Sequence, residues 1–304
     1  MISADETFDG TWPYAPKFFS GNGFEQHFVD EGPRDTGEAF VCVHGEPTWA
    51  YLYRQFIPPL SKLGRVVVPD HMGFGKSETP QNRSYSIREH YENLEGLLLD
   101  LDLRDITLIM QDWGGPLGSQ FAYRHPERVK RLVVMNTLVG GQAPEGTPNV
   151  PDYPWFAWVQ SDAFEPTIMN LSATVLSVMK RIGFEHTAHV DETWVRAYAT
   201  PFPTPADCIA ARQFPLNIAD PETMKFISEI ASLPGAIEAV KAKPAMLVTG
   251  AEDRAIPCEL AVGSFRDMWP GAPVTVLPGV GHFIQEDAPE IVTALIAQFV
   301  QSTA

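Results

Sequence analysis

The sequence predicts an α/β protein: a mostly parallel, doubly wound sheet with a helical cap inserted between two of its strands. Three observations carry that expectation. Six short apolar runs end in turn residues, as strands buried on both faces of a parallel sheet do. Stretches of helical periodicity lie between them, and strand–helix alternation marks a wound sheet. One long region, about residues 138–227, contains no clear buried strand.

The runs are "AFVCVHG" (39–45), "RVVVPD" (65–70), "ITLIMQ" (106–111), "RLVVMN" (131–136), "PAMLVTG" (244–250) and "VTVLPG" (274–279). From Ile87 to Leu101, the residues Leu94, Leu97, Leu98 and Leu101 fall at i, i+3, i+4 and i+7, one apolar face of a helix. Ala288 to Val300 repeats the pattern. The irregular region opens with the Gly- and Pro-rich "GGQAPEGTPNVPDYP" (140–154). Helical stretches follow near 166–182 and 191–198, and then "TPFPTP" (200–205). Because strand-like runs resume at 244, the region reads as an insert. The expected division is a core of residues 1–137 and 228–304 and a helical cap of 138–227. The cap is expected over the C-terminal ends of the strands, where ligands bind in such sheets.

With 304 residues and 44% apolar composition, the chain can bury one large core carrying an inserted subdomain. It has 22 Lys+Arg against 38 Asp+Glu, a formal charge of −16, and no basic cluster. Such a surface repels phosphate backbones and anionic membranes, so neither nucleic acid nor a membrane is an expected partner. Cys42, Cys208 and Cys258 form no disulfide framework and are expected to be inert, small core residues. The acidic start "MISADETFDGTWPYAPKFF" is unlike a signal peptide, and no apolar run approaches the ~18 residues of a membrane span. A cytoplasmic location is the resulting expectation. No metal-ligand spacing or phosphate loop occurs, so no metal and no cofactor beyond water is expected. The chain is expected to be a monomer or weak oligomer.

Chemistry concentrates at three strand ends. In "ITLIMQDWGG" an Asp follows a buried strand and two glycines follow one residue later. This is where an α/β-hydrolase places its nucleophile, on a strained strand-to-helix turn flanked by small residues. Gly114 meets that need, whereas Met110 is larger than usual. An Asp at the end of a strand also commonly serves as a helix N-cap. "LVTGAEDRAIP" puts Glu252 and Asp253 after the next-to-last strand, and "VLPGVGHF" puts His282 after the last. Nucleophile, acid and base then run in the order of the α/β-hydrolase triad.

With these residues stand "HGEPTW" (44–49), "PDHMGFGKS" (69–77), "QDWGG" (111–115) and "GVGHFIQE" (279–286). Together they resemble the haloalkane dehalogenases, from about residue 24 onward and least in the insert. The resemblance is closest to the subfamily whose acid follows the penultimate strand. It implies an α/β-hydrolase fold and hydrolysis of a small neutral haloalkane by water, with release of a halide ion. Asp112 would attack the saturated carbon and expel halide. His282 would activate water against the resulting ester, and Asp253 would orient His282. The backbone N–H groups of Glu46 and Trp113 would form the oxyanion hole. A sister subfamily carries its acid after the strand that here ends "VVMN", but Asn136 is an amide, which favours Asp253.

An indole N–H is a donor on an apolar ring, suited to holding an anion away from water. The resemblance makes Trp113 one halide donor and a cap Trp the second. Trp158 is preferred, because "FAWVQ" is the closer match to the subfamily's segment, and Trp155 is the alternative. "RQFPLNI" (212–218) resembles the family's pocket-lining segment, which points to Phe214, Pro215 and Ile218. His44 is expected to brace its loop, and Glu252 to be solvated.

Epoxide hydrolases share the fold and the Asp nucleophile but need acidic phenols in the cap. Tyr153 and Tyr198 are available by count, while Trp113 and "HGEPTW" argue against that reading. Fluoroacetate dehalogenases place arginines after the Asp, and "DWGGP" has none. A non-catalytic binding protein of this fold would be expected to lose a triad member.

Overall fold

The computed structural model describes residues 2–139 and 154–303. Its centre is an eight-stranded sheet: β1 (Lys17–Phe19), β2 (Gln26–Glu31), β3 (Ala39–Val43), β4 (Arg65–Pro69), β5 (Ile106–Gln111), β6 (Val129–Met135), β7 (Ala245–Gly250) and β8 (Val274–Leu277). The spatial order is β1-β2-β4-β3-β5-β6-β7-β8. From β4 to β8 all pairings are parallel, while β1 and β2 join antiparallel at one edge. The six expected strands are all present, within two residues at each end.

The edge pair β1 and β2 is not among the six expected strands. "QHFVDE" hides its strand character because its buried polar residues have specific partners. Gln26 donates to the Asp70 carbonyl at 3.2 Å, and His27 Nδ1 lies 2.8 Å from the Asp70 carboxylate.

The helices are α1 (Ile57–Leu60), α2 (Ile87–Asp100), α3 (Gly114–Arg124), α4 (Pro154–Val159), α5 (Phe164–Ile168), α6 (Leu171–Gly183), α7 (Glu192–Ala199), α8 (Ile209–Asn217), α9 (Pro221–Ser228), α10 (Ala236–Lys241), α11 (Cys258–Met268), α12 (Ile284–Asp287) and α13 (Pro289–Ser302). α2 follows the predicted face, with Leu94, Leu97 and Leu98 buried and the Ser86 side chain capping its first turn. The helix expected over 166–182 is two helices, α5 and α6, separated at Met169 and Asn170.

Between β6 and β7 every described regular element is helical. Helices α4 to α8 contact one another, whereas α9 packs on α2 and α10 on α3. Of the loop 140–154 only Pro154 is among the described residues, and Tyr153 lies outside them. Cys42 and Cys208 are buried as expected, but Cys258 begins α11 at the surface side and is only half-buried. No helix among the described residues is long and apolar enough to cross a membrane.

Candidate active site

The site is built at the C-terminal ends of β3, β5, β6, β7 and β8. β5 ends at Gln111, and Asp112 turns the chain into α3 with a φ of 51°, in the left-handed region that few L-residues adopt. Small neighbours make this turn possible. A Cβ on Gly45 would stand 2.0 Å from Asp112 Oδ1, and one on Gly114 would stand 2.1 Å from the Val43 carbonyl oxygen. Met110 fits despite its size because it faces Gly118 of α3, where a Cβ would come within 2.5 Å of the Met110 sulfur.

Asp112, His282 and Asp253 form one hydrogen-bonded line. His282 Nε2 is 3.2 Å from Asp112 Oδ2, and His282 Nδ1 is 2.9 Å from Asp253 Oδ2. Asp253 is fixed by further donors. Its Oδ2 accepts from Asn136 Nδ2 at 2.8 Å, and its Oδ1 accepts from the Ala255 and Ile256 N–H groups at 2.8 and 2.9 Å. Asn136 also donates to the Gly281 carbonyl at 3.1 Å, so it ties Asp253 to the loop that carries His282. Glu252 is exposed, as expected.

Burial alone would depress the His282 imidazole. The Asp253 and Asp112 carboxylates outweigh that and hold its pKa up to about 10. The two carboxylates thus favour the charged form of the ring.

The Glu46 N–H donates to Asp112 Oδ1 at 2.9 Å, within the range of an oxyanion-hole donor. Oδ1 is thus anchored and Oδ2 is the oxygen facing His282. The Trp113 N–H opens the first turn of α3, where helical N–H groups lack intrahelical partners. The Glu46 side chain was invisible to sequence reasoning. Burial and the neighbouring Asp112 charge push its carboxyl well above the usual carboxylate range. The neutral form is thereby favoured in the wall of the site, and only its position in "HGEPTW" hinted at it. His44 braces the same loop: its Nδ1 donates to the Gly45 carbonyl at 2.9 Å and its Nε2 accepts from the His71 N–H at 3.1 Å.

Trp113 is 8% exposed, and its ring lies 5.6 Å from Phe214 of α8 at 28°. Phe214 thereby brings the insert onto the residue after Asp112. Pro215 is buried and Ile218 half-buried at the end of the same helix. Trp158 is buried, with Phe164 edge-on at 5.1 Å and the Arg181 guanidinium 5.2 Å over its ring. The Trp155 indole N–H is buried without a partner among the described residues. The Tyr198 hydroxyl, one of the two phenols an epoxide hydrolase would need, donates to Glu286 at 2.5 Å instead.

Comparison with known proteins bears on the fold and the family. The alpha/beta hydrolase fold family matches residues 38–289. A haloalkane dehalogenase of Psychrobacter cryohalolentis is 32% identical over 90% of this chain and 86% of its own length. This chain belongs to the haloalkane dehalogenase family of α/β-hydrolases. Another relative of this dehalogenase-family chain is a cis-3-alkyl-4-alkyloxetan-2-one decarboxylase of Shewanella oneidensis, 31% identical over 97% of this chain and 91% of its own. Among solved structures, the tetrameric haloalkane dehalogenase DpaA of Paraglaciecola agarilytica superposes with a TM-score of 0.78 and 29% identity, over 97% of each chain.

Proposed function

We propose that the protein hydrolyses small neutral haloalkanes to a primary alcohol, halide and a proton. The observation that carries this reading is the nucleophile itself: an Asp, anchored through one oxygen by the Glu46 N–H, faces the base His282 through the other. Asp112 Oδ2 attacks the carbon bearing the halogen in line, the carbon–halogen bond breaks, and halide departs. The product is an alkyl ester on Asp112. Water, deprotonated by His282, attacks the ester carbonyl carbon, and Asp253 stabilises the imidazolium that forms. The Glu46 and Trp113 N–H groups hold the oxyanion, and collapse releases alcohol and the free carboxylate. The insert 138–227 serves as the cap that excludes water from the departing halide. Bromide release from 1,2-dibromoethane is the direct test; none at any substrate concentration would sink this reading.

The similarity to the decarboxylase favours a second reading. The same Asp112 attack on the saturated ring carbon bonded to the ring oxygen of an oxetan-2-one breaks that C–O bond and frees a carboxylate. Loss of carbon dioxide then leaves its electron pair to form the alkene as the bond to Asp112 breaks, regenerating the carboxylate. Alkene and carbon dioxide from a cis-3-alkyl-4-alkyloxetan-2-one, without halide release from 1,2-dibromoethane, would favour this reading over the first.

The charge state of His282 sets a pH expectation. Alkylation removes the Asp112 charge, one of the two that raise the His282 pKa, so the pKa falls from about 10 in the ester form. A base must be neutral to accept a proton, so ester hydrolysis should rise with pH and level off below the free enzyme's value. Turnover measured from pH 5 to 9 should climb; a flat profile would remove His282 as the rate-limiting base.

For the halide, Trp113 and one cap indole, Trp158 or Trp155, form a two-donor clamp. Losing one donor should slow carbon–halogen cleavage by roughly 3 kcal/mol, by analogy with an oxyanion-hole donor. Bromide titration followed by Trp fluorescence should show weaker binding in Trp113→Phe and in whichever of Trp158→Phe and Trp155→Phe removes the second donor. Wild-type affinity in all three variants would leave these indoles as packing.

A further inference from the structure

The loop carrying His282 does not stand alone. Asp287, five residues on, accepts the Gly281 N–H at 2.8 Å through Oδ2. Its carboxylate also accepts from the insert: the His186 N–H at 2.7 Å and the Glu185 N–H at 3.1 Å, both to Oδ1. The Asp287 carbonyl lies 2.8 Å from His186 Nδ1. One side chain therefore joins the backbone just before His282 to the segment that follows α6.

The end of α6 presses on the same loop from the other side. The Gly183 carbonyl accepts the Phe283 N–H at 3.1 Å, directly after His282. Gly183 has a φ of 142°, and a Cβ there would lie 2.7 Å from the His282 nitrogen and 3.0 Å from its Cβ. The acid loop is held too: the Arg254 N–H, next to Asp253, donates to the Ile182 carbonyl at 3.0 Å. Glu286 anchors the same region further along the insert, accepting from Trp194 Nε1 at 3.0 Å and from Tyr198 while paired with Arg54.

We propose that Asp287 and Gly183 are positioning residues for His282, and that the end of α6 is a structural part of the base's seat. This inference rests on His282 acting as the base of the proposed hydrolysis. Attack by Asp112 on the substrate does not use His282, whereas water activation does. A loosened clasp should therefore impair the second half-reaction alone. A seat worked from the insert also gives α6 a route to couple the cap's position to the rate of ester hydrolysis.

The test separates the two steps. Asp287→Ala removes the carboxylate, and Gly183→Ala pushes on the His282 backbone while leaving every charge in place. Rapid-quench halide release reports alkylation, and mass spectrometry of the intact chain reports the ester. Both variants should release the first halide at close to the wild-type rate. They should then hydrolyse the ester more slowly, by about tenfold or more, as a small misplacement of a catalytic group does. The alkylated chain should accumulate.

A merely structural role would lower the fraction of active enzyme, with no adduct building up in what remains. If Asp287→Ala does not fold, Gly183→Ala carries the test alone. Hydrolysis that keeps pace with alkylation in the folded variants overturns the inference. If His282→Phe forms an ester and these variants do not accumulate one, the clasp is wrong and the base assignment stands. If His282→Phe forms none, the proposed function itself fails.

Discussion

Asp112→Ala is expected to release no halide from any haloalkane while keeping the wild-type fold. In the proposed mechanism the carboxylate supplies the electron pair that displaces halide, and among the described residues no other group shares its position between the Glu46 N–H and His282. Loss of a covalent nucleophile costs on the order of 10⁶ in kcat in a well-studied hydrolase. The cost to folding should be small by comparison. The side chain is 15% exposed, and its removal leaves the Thr137 hydroxyl bond to the Asp112 carbonyl, at 2.5 Å, in place. Alanine at a φ of 51° inherits a left-handed strain that Asp112 already bears, and adds only the loss of the local tolerance that Asp has there. Circular dichroism and a thermal melt should therefore show a folded chain with a modestly lower Tm. Bromide release near the wild-type rate in this variant would remove Asp112 as nucleophile, and the mechanism with it.

The central parallel strands β3 to β7 were legible because they are buried along nearly their whole length on both faces, while the outer strand β8, half-buried with Val276 exposed, showed through its apolar "VTVL". That demand writes itself into the sequence as a continuous apolar run, and it placed Asp112, Asp253 and His282 at strand ends before any contact was known. The antiparallel pair β1 and β2 at the other edge was not legible for the converse reason. β2 buries Gln26 and His27 by satisfying them against Asp70, a partner some forty residues away whose pairing no local pattern announces. The break between α5 and α6 was likewise hidden, since both halves are helical in composition.

Within the site, residues that carry chemistry stood out by type and place, whereas residues that hold them did not. Asn136 was informative only as a missing carboxylate, and the structure shows it donating to both Asp253 and the loop before His282. Glu46 entered through its backbone N–H, but the upward push on its side-chain carboxyl follows from burial beside Asp112, which is a property of the packed site. Asp287 lay just past the quoted "GVGHFIQE", and its three backbone partners come from residues as far apart in sequence as Glu185 and Gly281.

His282→Phe should stop the reaction halfway. In the proposed order of steps the first needs only Asp112 and the halide donors, so each enzyme molecule should release about one halide and then stall as the Asp112 ester. The intact chain should gain the mass of the alkyl group, and a peptide digest should place it on Asp112. The substitution is conservative in volume at a fully buried position, but it takes a cationic partner from Asp253. Breaking a buried ion pair by removing one member typically costs 3–5 kcal/mol. Here Asp253 keeps Asn136 and two backbone N–H donors, so the loss should fall at or below the low end of that range. His282→Gln, which retains a donor toward Asp253, is the companion variant should the Phe form be too unstable, and it should trap the same ester. Full turnover in either variant would mean that water is activated elsewhere. A variant that binds bromide as wild type does but forms no adduct would mean that His282 acts before the carbon–halogen bond breaks, contrary to the order of steps proposed for this site.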